Sequence, residues 1–260
     1  MAAVKQLGPE SSRTHLVIIP SYNPGARGVG TLLEARRHWG PVWVVVDGST
    51  DGSLEAFEQA AAQHEGIRVL ALPRNSGKGA ALLHAFRAAR DEGFTHALTM
   101  DSDGQHPADR IADFMSASMA APQAMILGLP EFGGDAPRVR VYGRKLSNFW
   151  THVQTLGGGI PDSLFGFRVY PVGPLVKVMQ SRFWMRRFDF DAEIAIRLSW
   201  RGVKAIAMPA KVRYFGMHDG GVSHFRYVRD NALLTWMYSR LLIGFLIRLP
   251  MLLARRLRFL

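Results

Sequence analysis

Cysteine is absent from the 260 residues, which excludes a disulfide-stapled scaffold, a thiolate zinc site and a cysteine nucleophile, and fits a reducing compartment. The first fifteen residues have no apolar stretch and so lack the core of a secretory signal. Long uncharged runs are missing as well. Towards the C-terminus the longest are 231–239 and 241–247, both short of the roughly 20 residues a spanning helix needs. Acidic residues are scarce there too: from Arg226 to Leu260 seven arginines stand against Asp230 alone, giving this segment +6 of the chain's +11. Such a basic tail suits an anionic membrane surface, a nucleic acid or an acidic substrate, and charge does not choose among them. No internal repeat or low-complexity segment occurs. What is present is ordinary for a globular protein, with 48% hydrophobic and 20% charged residues and mean hydropathy +0.01, which excludes disorder, collagen and coiled coil.

Short apolar runs that end in turn residues alternate with longer stretches of helical period, the βαβ pattern of an α/β fold. Strands are expected at 16–20, 42–46, 67–70, 97–100 and 125–127, each without polar alternation, as in a parallel sheet buried on both faces. Helices are expected at 31–38, 53–64, 77–91 and 108–120, with Ser53 as an N-cap and Pro107 at a first turn. Beyond a Gly/Pro-rich stretch at 130–137, a basic helix is expected over 139–156, a strand near 167–170, a helix over 192–200 and a strand over 203–208. The expected organisation is a tail (1–14), one α/β domain (15–224) and a basic amphipathic helical extension (225–260).

In open α/β sheets ligands bind beyond the carboxyl ends of the strands, and four strand ends here carry chemistry. They are Pro20-Ser-Tyr-Asn23, Asp47-Gly-Ser-Thr-Asp51, Asn75-Ser-Gly-Lys-Gly79 and Asp101-Ser-Asp-Gly-Gln-His106. Spacing says little about Asp101 and Asp103. Thirteen Asp in the chain give about 0.65 Asp-x-Asp matches by chance, and Asp189/Asp191 is a second one. Place says more, because two carboxylates at the end of a buried strand repel unless a cation joins them. Hard oxygen ligands there suit Mg²⁺ or Mn²⁺, which neutralises a diphosphate leaving group. Carboxylates after strands also cap the next helix, so both readings stand. Asn75 to Gly79 is not a P-loop, since no glycine lies five residues before Gly77 and Gly79 follows Lys78. Lys78 at a helix start still suits an anionic ligand. Arg140, Arg144 and Lys145 on one helix suit an acceptor phosphate or form a solvated basic face. His218 and His224, in a Gly-rich loop, are either a metal ligand or ordinary hydrogen-bonding residues.

The ordered set of these motifs, with Asp162, Gly166-Phe-Arg168 and Phe190-Asp-Ala-Glu193, resembles the inverting family-2 nucleotide-sugar glycosyltransferases of GT-A fold over about residues 15–215. Within that family it is similar to polyprenyl-phosphate sugar synthases, and its Arg-rich ending to glycosyltransferases of bacterial aryl-polyene pathways. The resemblance implies a mixed, mainly parallel sheet with flanking helices. It implies a nucleotide diphospho-sugar donor held by Pro20, Tyr22, Asn23, Asp47, Ser49, Lys78 and Asp101, with Tyr22 stacked on the base. A divalent metal would sit on Asp101, Asp103 and Gln105, with His224 as a further ligand, and Arg168 would join Arg140 and Arg144 at the acceptor. Val46 stands where many relatives have an acid or Asn. Gly128-Leu129-Pro130 stands where the polyprenyl-phosphate synthases carry Gly-Ser-Arg, which removes one phosphate-binding arginine.

A hydroxyl acceptor needs a positioned base, for which Asp191 comes first and Glu193 second, whereas a phosphate acceptor needs none. The expected function is therefore inverting sugar transfer to a lipid-linked or amphiphilic acceptor. A polyprenyl phosphate acceptor is the alternative within the family, a nucleotidyltransferase the rival enzyme, and an anion- or nucleic-acid-binding module the rival of another class. No residue pattern points to nucleic-acid readout. The tail is expected to lie on the inner face of the cytoplasmic membrane without crossing it. Arg226, Arg229, Arg240 and Arg248 fall in an arc of about 100°, Leu233, Leu234, Met237 and Leu241 are left for an apolar face, and Pro250 breaks or kinks the helix.

Overall fold

The computed structural model describes residues 9, 11–131, 138–213 and 227–257, and does not describe the side chains of 138–142 and 227–228. Strands β1 (His15–Ser21), β2 (Val42–Asp47), β3 (Ile67–Leu72), β4 (His96–Thr99), β5 (Ala124–Glu131), β6 (Arg168–Pro171) and β7 (Lys204–Lys211) form one sheet in the order β3-β2-β1-β4-β6-β5-β7. β6 runs antiparallel to both β4 and β5, and every other pairing is parallel. The mixed, mainly parallel sheet that the family resemblance implies is thus the one observed. β1, β2, β4 and β6 are buried along their whole length. The sequence pattern predicts the same of β3, which is instead an edge strand with no fully buried residue.

Helices α1 (Arg27–His38), α2 (Ser53–Gln63) and α4 (Ile111–Ala120) cover one face, where Leu32, Phe57 and Phe114 meet Val17, Ile19 and Val44. Helices α3 (Lys78–Asp91), α6 (Val172–Gln180) and α7 (Phe190–Trp200) cover the other, where Leu82, Phe86, Leu175 and Ile194 meet Leu16, Ile18 and Val45. The sequence pattern does not predict α6. Gly173 and Pro174, residue types that interrupt helices elsewhere, both lie in its first helical turn, where proline's missing N–H has no intrahelical partner to lose. At the start of α2 the N-cap is Gly52 rather than Ser53, and Asp51 Oδ1 accepts the Ser53 N–H.

An outer layer is formed by α5 (Arg138–Gln154) and α8 (Tyr227–Leu257) on the back of α7. Pro250 does not end α8, which runs 31 residues through it. The apolar face also differs from expectation. Leu234, Met237, Tyr238, Leu241 and Phe245 are buried against Ala192, Ile196 and Trp200 of α7. The large exposed apolar residues of α8 are instead Trp236, Ile243, Leu246, Ile247, Met251, Leu253 and Leu257, which at 100° per residue share an arc of about 160°. By length and composition alone, α8 from Arg229 to Leu257 is long and apolar enough to cross a membrane.

Candidate active site

Successive connections leave β1 towards β2 on one side while β4 pairs with it on the other, so the sheet's switch point lies between β1 and β4. The loops that follow β1 and β2 are laced together by side chains. Asn23 donates its backbone N–H to Ser49 Oγ (3.0 Å) and accepts the Thr50 N–H on Oδ1 (2.8 Å). Its φ of 43° is a left-handed conformation that Asn tolerates. Asp51 accepts the N–H groups of Gly25 (2.9 Å) and Ser53 (3.2 Å). Burial alone would raise its carboxyl, but those bonds hold it below the ordinary value. Pro20 is buried at the end of β1 and Tyr22 is half-buried just beyond. A cavity of about 400 Å³ lined by Val46, Ser49, Thr50, Leu72 and Pro73 opens beside these loops.

Asp47 is buried and turns both oxygens onto the approach to α3, accepting the N–H groups of Ser76 (2.8 Å) and Gly77 (2.7 Å). That fixes the helix start and with it Lys78. The Lys78 ammonium lies 2.8 Å from Asp101 Oδ1 and 2.7 Å from Asp191 Oδ2. Burial opposes its charge, but the two carboxylates outweigh burial and raise its pKa. Gly79 has no room for a side chain, because a Cβ would fall 1.9 Å from the Met185 carbonyl oxygen. The start of α3 is thereby pressed against the turn that leads into α7.

Asp101 and Asp103 follow β4. Burial raises the Asp103 carboxyl and the Asp101 charge raises it further, whereas Lys78 carries Asp101 below the ordinary range despite its own burial. Asp103 Oδ1 accepts the Gln105 N–H (3.0 Å), and the Gln105 carbonyl accepts the Arg213 N–H (3.0 Å). His106 Nδ1 accepts the Asp101 N–H (2.9 Å). That bond assigns the neutral ring's proton to Nε2, so His106 keeps no lone pair for a metal. It packs on Phe165 and Phe167, and burial lowers its pKa.

Two hard carboxylates at one strand end, one destabilised by the other, fit an oxygen-bound Mg²⁺ or Mn²⁺. Among the described residues no cluster of three His, Asp or Glu completes a protein-only cage. The remaining ligands of such an ion would be donor phosphate oxygens and water. Gly166 leaves the space: a Cβ there would fall 3.0 Å from Lys78 Nζ, 3.3 Å from Asp101 Oδ2 and 3.5 Å from Asp191 Oδ1.

Asp191 lies at the start of α7 with Oδ2 on Lys78 and Oδ1 buried without a hydrogen-bond partner among the described residues. Glu193, two residues on, faces away from the cleft. It is fully buried and accepts Arg197 Nε (2.6 Å), Arg240 Nη1 (2.8 Å) and Arg240 Nη2 (2.6 Å). Its place as second choice for the base is therefore corrected: the carboxylate joins α7 to α8. Arg168 is corrected likewise. It is fully buried, and its guanidinium donates to Tyr170 Oη (3.0 Å) and to the carbonyls of Asp162 (2.8 Å) and Asp191. It positions Asp191 from behind and has no surface for an acceptor. Arg144 forms an ion pair with Asp162 (2.7 Å), whose carboxylate also accepts the Leu164 and Phe165 N–H groups ahead of Gly166. The Arg140 side chain, His218 and His224 lie outside the described residues, as does the expected boundary between 224 and 225.

The model of glycosyl transferase family 2 matches residues 16–190. The chain belongs to that family. It is 28% identical over 201 residues to a polyprenol monophosphomannose synthase of Mycolicibacterium smegmatis, covering 75% of each chain. It is 24% identical over 200 residues to an undecaprenyl-phosphate mannosyltransferase of Micrococcus luteus, covering 75% of this chain and 81% of that one. Among solved structures, its fold is similar to that of a glucosyl-3-phosphoglycerate synthase of Mycobacterium tuberculosis in complex with Mn²⁺, UDP-glucose and phosphoglyceric acid. The TM-score is 0.60 at 15% identity, over 90% of this chain and 79% of that one. A mannosyltransferase of Pyrobaculum calidifontis in complex with GDP-Man and Mn²⁺ gives 0.54 at 19% identity, over 78% and 57%. The family-2 glycosyltransferase thus has neighbours of GT-A fold, as its strand-end motifs imply. The nucleotidyltransferase and the non-catalytic module are set aside by the family match.

Within this family-2 glycosyltransferase two features have no role that the sequence alone assigns. His106 and Gly166 both stand inside quoted motifs, and their side-chain contact and side-chain absence become meaningful only once β4 and the segment before β6 are adjacent.

Proposed function

We propose that this glycosyltransferase moves a sugar, with inversion at the anomeric carbon, from a nucleotide diphospho-sugar to a lipid-linked or amphiphilic acceptor. The observation that carries the reading is the convergence of Lys78, Asp101 and Asp191 around the space left by Gly166, with Asp103 near enough to Asp101 to feel its charge. The nucleoside would lie across the laced loops of Tyr22, Asn23 and Ser49, beside Asp47. A Mg²⁺ or Mn²⁺ held by Asp101 and Asp103, with Gln105 beside them, would offset the charge of the leaving diphosphate. Lys78 supplies a further positive charge at the same place and moves from two carboxylates to phosphate oxygens when the donor enters. Asp191, held by Arg168 and aimed at that space, is placed to accept a hydroxyl proton on Oδ1, which has no hydrogen-bond partner among the described residues.

A second reading is favoured by Lys78. Asp191 Oδ2 is already engaged by the Lys78 ammonium 2.7 Å away, and a phosphate acceptor needs no base. The two relatives named for polyprenol and undecaprenyl phosphate agree with that chemistry. The exposed apolar arc of α8 supports work at the inner face of the cytoplasmic membrane, with residues 225–260 lying on the bilayer next to residues 15–224. The test is transfer from radiolabelled UDP- and GDP-sugars, with Mn²⁺, to polyprenyl phosphate and to a hydroxyl-bearing glycolipid. Transfer to either lipid supports sugar transfer and chooses the acceptor class. Release of pyrophosphate from a nucleoside triphosphate, without sugar transfer, would overturn the reading.

A further inference from the structure

A second cluster of charge lies at the other end of α7. Between the end of α6, the last turns of α7 and the C-terminal half of α8 a cavity of about 390 Å³ is lined by Arg182, Arg197, Arg201, Arg248, Arg255 and the ring of Trp200. Arg197 shares the single carboxylate of Glu193 with Arg240. Arg248 donates to the Gly244 carbonyl (2.8 Å) and Arg255 to the Trp200 carbonyl (3.0 Å). The guanidinium carbons of Arg197 and Arg248 lie 5.8 and 5.3 Å from the Trp200 ring centroid. Among the described residues no carboxylate forms an ion pair with Arg182, Arg201, Arg248 or Arg255. Five guanidiniums therefore face one cavity, with half a carboxylate between them.

Concentrated like charge opposes folding unless an anion offsets it. The arrangement has the marks of a site rather than of a solvated face. Arg248 and Arg255 are oriented by backbone carbonyls, two guanidiniums flank an indole, and the forked donors match the oxygens of a phosphate group. Arg197 feels the crowding: burial lowers its pKa, and Arg182 and Arg240 lower it further against the pull of Glu193. The cavity is separate from the cleft. Arg197, on α7, and Arg201, its C-cap, follow Asp191 by six and ten residues, or about 9 and 15 Å at 1.5 Å per residue.

We propose that this arginine cavity binds a phosphate-bearing anion at a site separate from donor and acceptor. Its wall continues into apolar surface, because Met251 lines it and Ile247, one turn earlier on α8, is 74% exposed. These surroundings suit a phospholipid headgroup whose chains stay with the bilayer, and soluble phosphate offers the same chemistry.

The experiment uses the full chain, in chelator so that the cleft carries no divalent ion, with two probes: inorganic phosphate, and vesicles of phosphatidylglycerol compared with phosphatidylcholine. The readouts are vesicle flotation and hydrogen-exchange protection of peptides covering 196–202 and 245–256. The variant is Arg182→Gln with Arg201→Gln, two exposed side chains whose removal leaves the Glu193 and Trp200 contacts in place. Protection by phosphatidylglycerol and not by millimolar phosphate assigns a lipid headgroup, and protection by phosphate alone assigns a soluble ligand. In either case the double variant, with an unchanged circular dichroism spectrum, should bind about tenfold more weakly or worse, and high salt should weaken the wild type. Arg248→Gln serves as the second variant if the first is poorly folded. Equal binding by wild type and variant, or no protection of either peptide by either probe, would overturn the proposal.

Discussion

Two Asp-x-Asp pairs of equal spacing have different fates in this fold. Asp101 and Asp103 leave the end of β4 together, and the charge of one raises the pKa of the other. Asp189 and Asp191 straddle the start of α7 and part company. The Asp189 carboxylate accepts the Met185 (3.1 Å) and Arg187 (2.9 Å) N–H groups and closes the turn, while Asp191 points to Lys78. At a strand end both side chains reach the same cleft. At a helix start two residues differ by about 200° around the axis, so one carboxylate serves the fold and the other the site. Glu193 repeats the lesson two residues further on, where it is held by Arg197 and Arg240.

The largest effect should come from Asp191. Asp191→Asn is expected to lower kcat for a hydroxyl acceptor by about 10²- to 10⁴-fold while nucleotide-sugar affinity is kept, since that is the usual range for losing a general base. Unchanged turnover on polyprenyl phosphate by the same variant would mark the acceptor as its own nucleophile. Asp103→Ala should come next, with metal-dependent donor affinity falling by at least about tenfold and the fold intact by circular dichroism. If the Asp103 variant bound donor with wild-type metal dependence, the strand-end pair would not differ from the helix-start pair in the way described.

Glu193→Gln separates fold from chemistry. Removing a buried carboxylate that two arginines share should cost about 3 kcal/mol of stability, read as a lower Tm, with kcat of the folded fraction unchanged. A fall in kcat without a fall in Tm would return Glu193 to the cleft. The smallest effect concerns the foot of the sheet. His15 is buried, stacks on His96 at 4.6 Å and has its pKa lowered to about 4, by burial first and His96 second. The unfolded chain then binds the proton that the native state refuses. Stability is full above about 6.5, the ordinary histidine value, and declines as pH falls from there to about 4. Thermal melts across that window should show the decline as a falling Tm, and His15→Asn should flatten it.

Much of the fold and of the site is legible in the amino-acid order alone. Strands buried on both faces show as unbroken Val, Ile and Leu, and their ends show as Tyr22, Asp47, Lys78 and Asp101, because a parallel sheet delivers its ligands there. What stays hidden depends on neighbours far along the chain. α6 is masked by Gly173 and Pro174, which sit harmlessly in a first turn. Pro250 reads as a break, yet α8 passes through it with its inner face packed on α7. That packing also decides which apolar arc joins the core and which stays exposed, a choice that two apolar faces on one helix leave open. Arg168 looks like a ligand-binding arginine because nothing local reveals that the carbonyls of Asp162 and Asp191 take its donors.

In the proposed function the cleft between β1 and β4 takes a nucleotide diphospho-sugar through Asp101 and Asp103 with a divalent cation. Isothermal calorimetry of UDP- and GDP-sugars into wild type and Asp103→Ala, each with Mn²⁺ and with chelator, tests it most directly. Wild type should show saturable binding of at least one donor that depends on Mn²⁺ and is lost in the variant. Binding of equal affinity in all four conditions would contradict it.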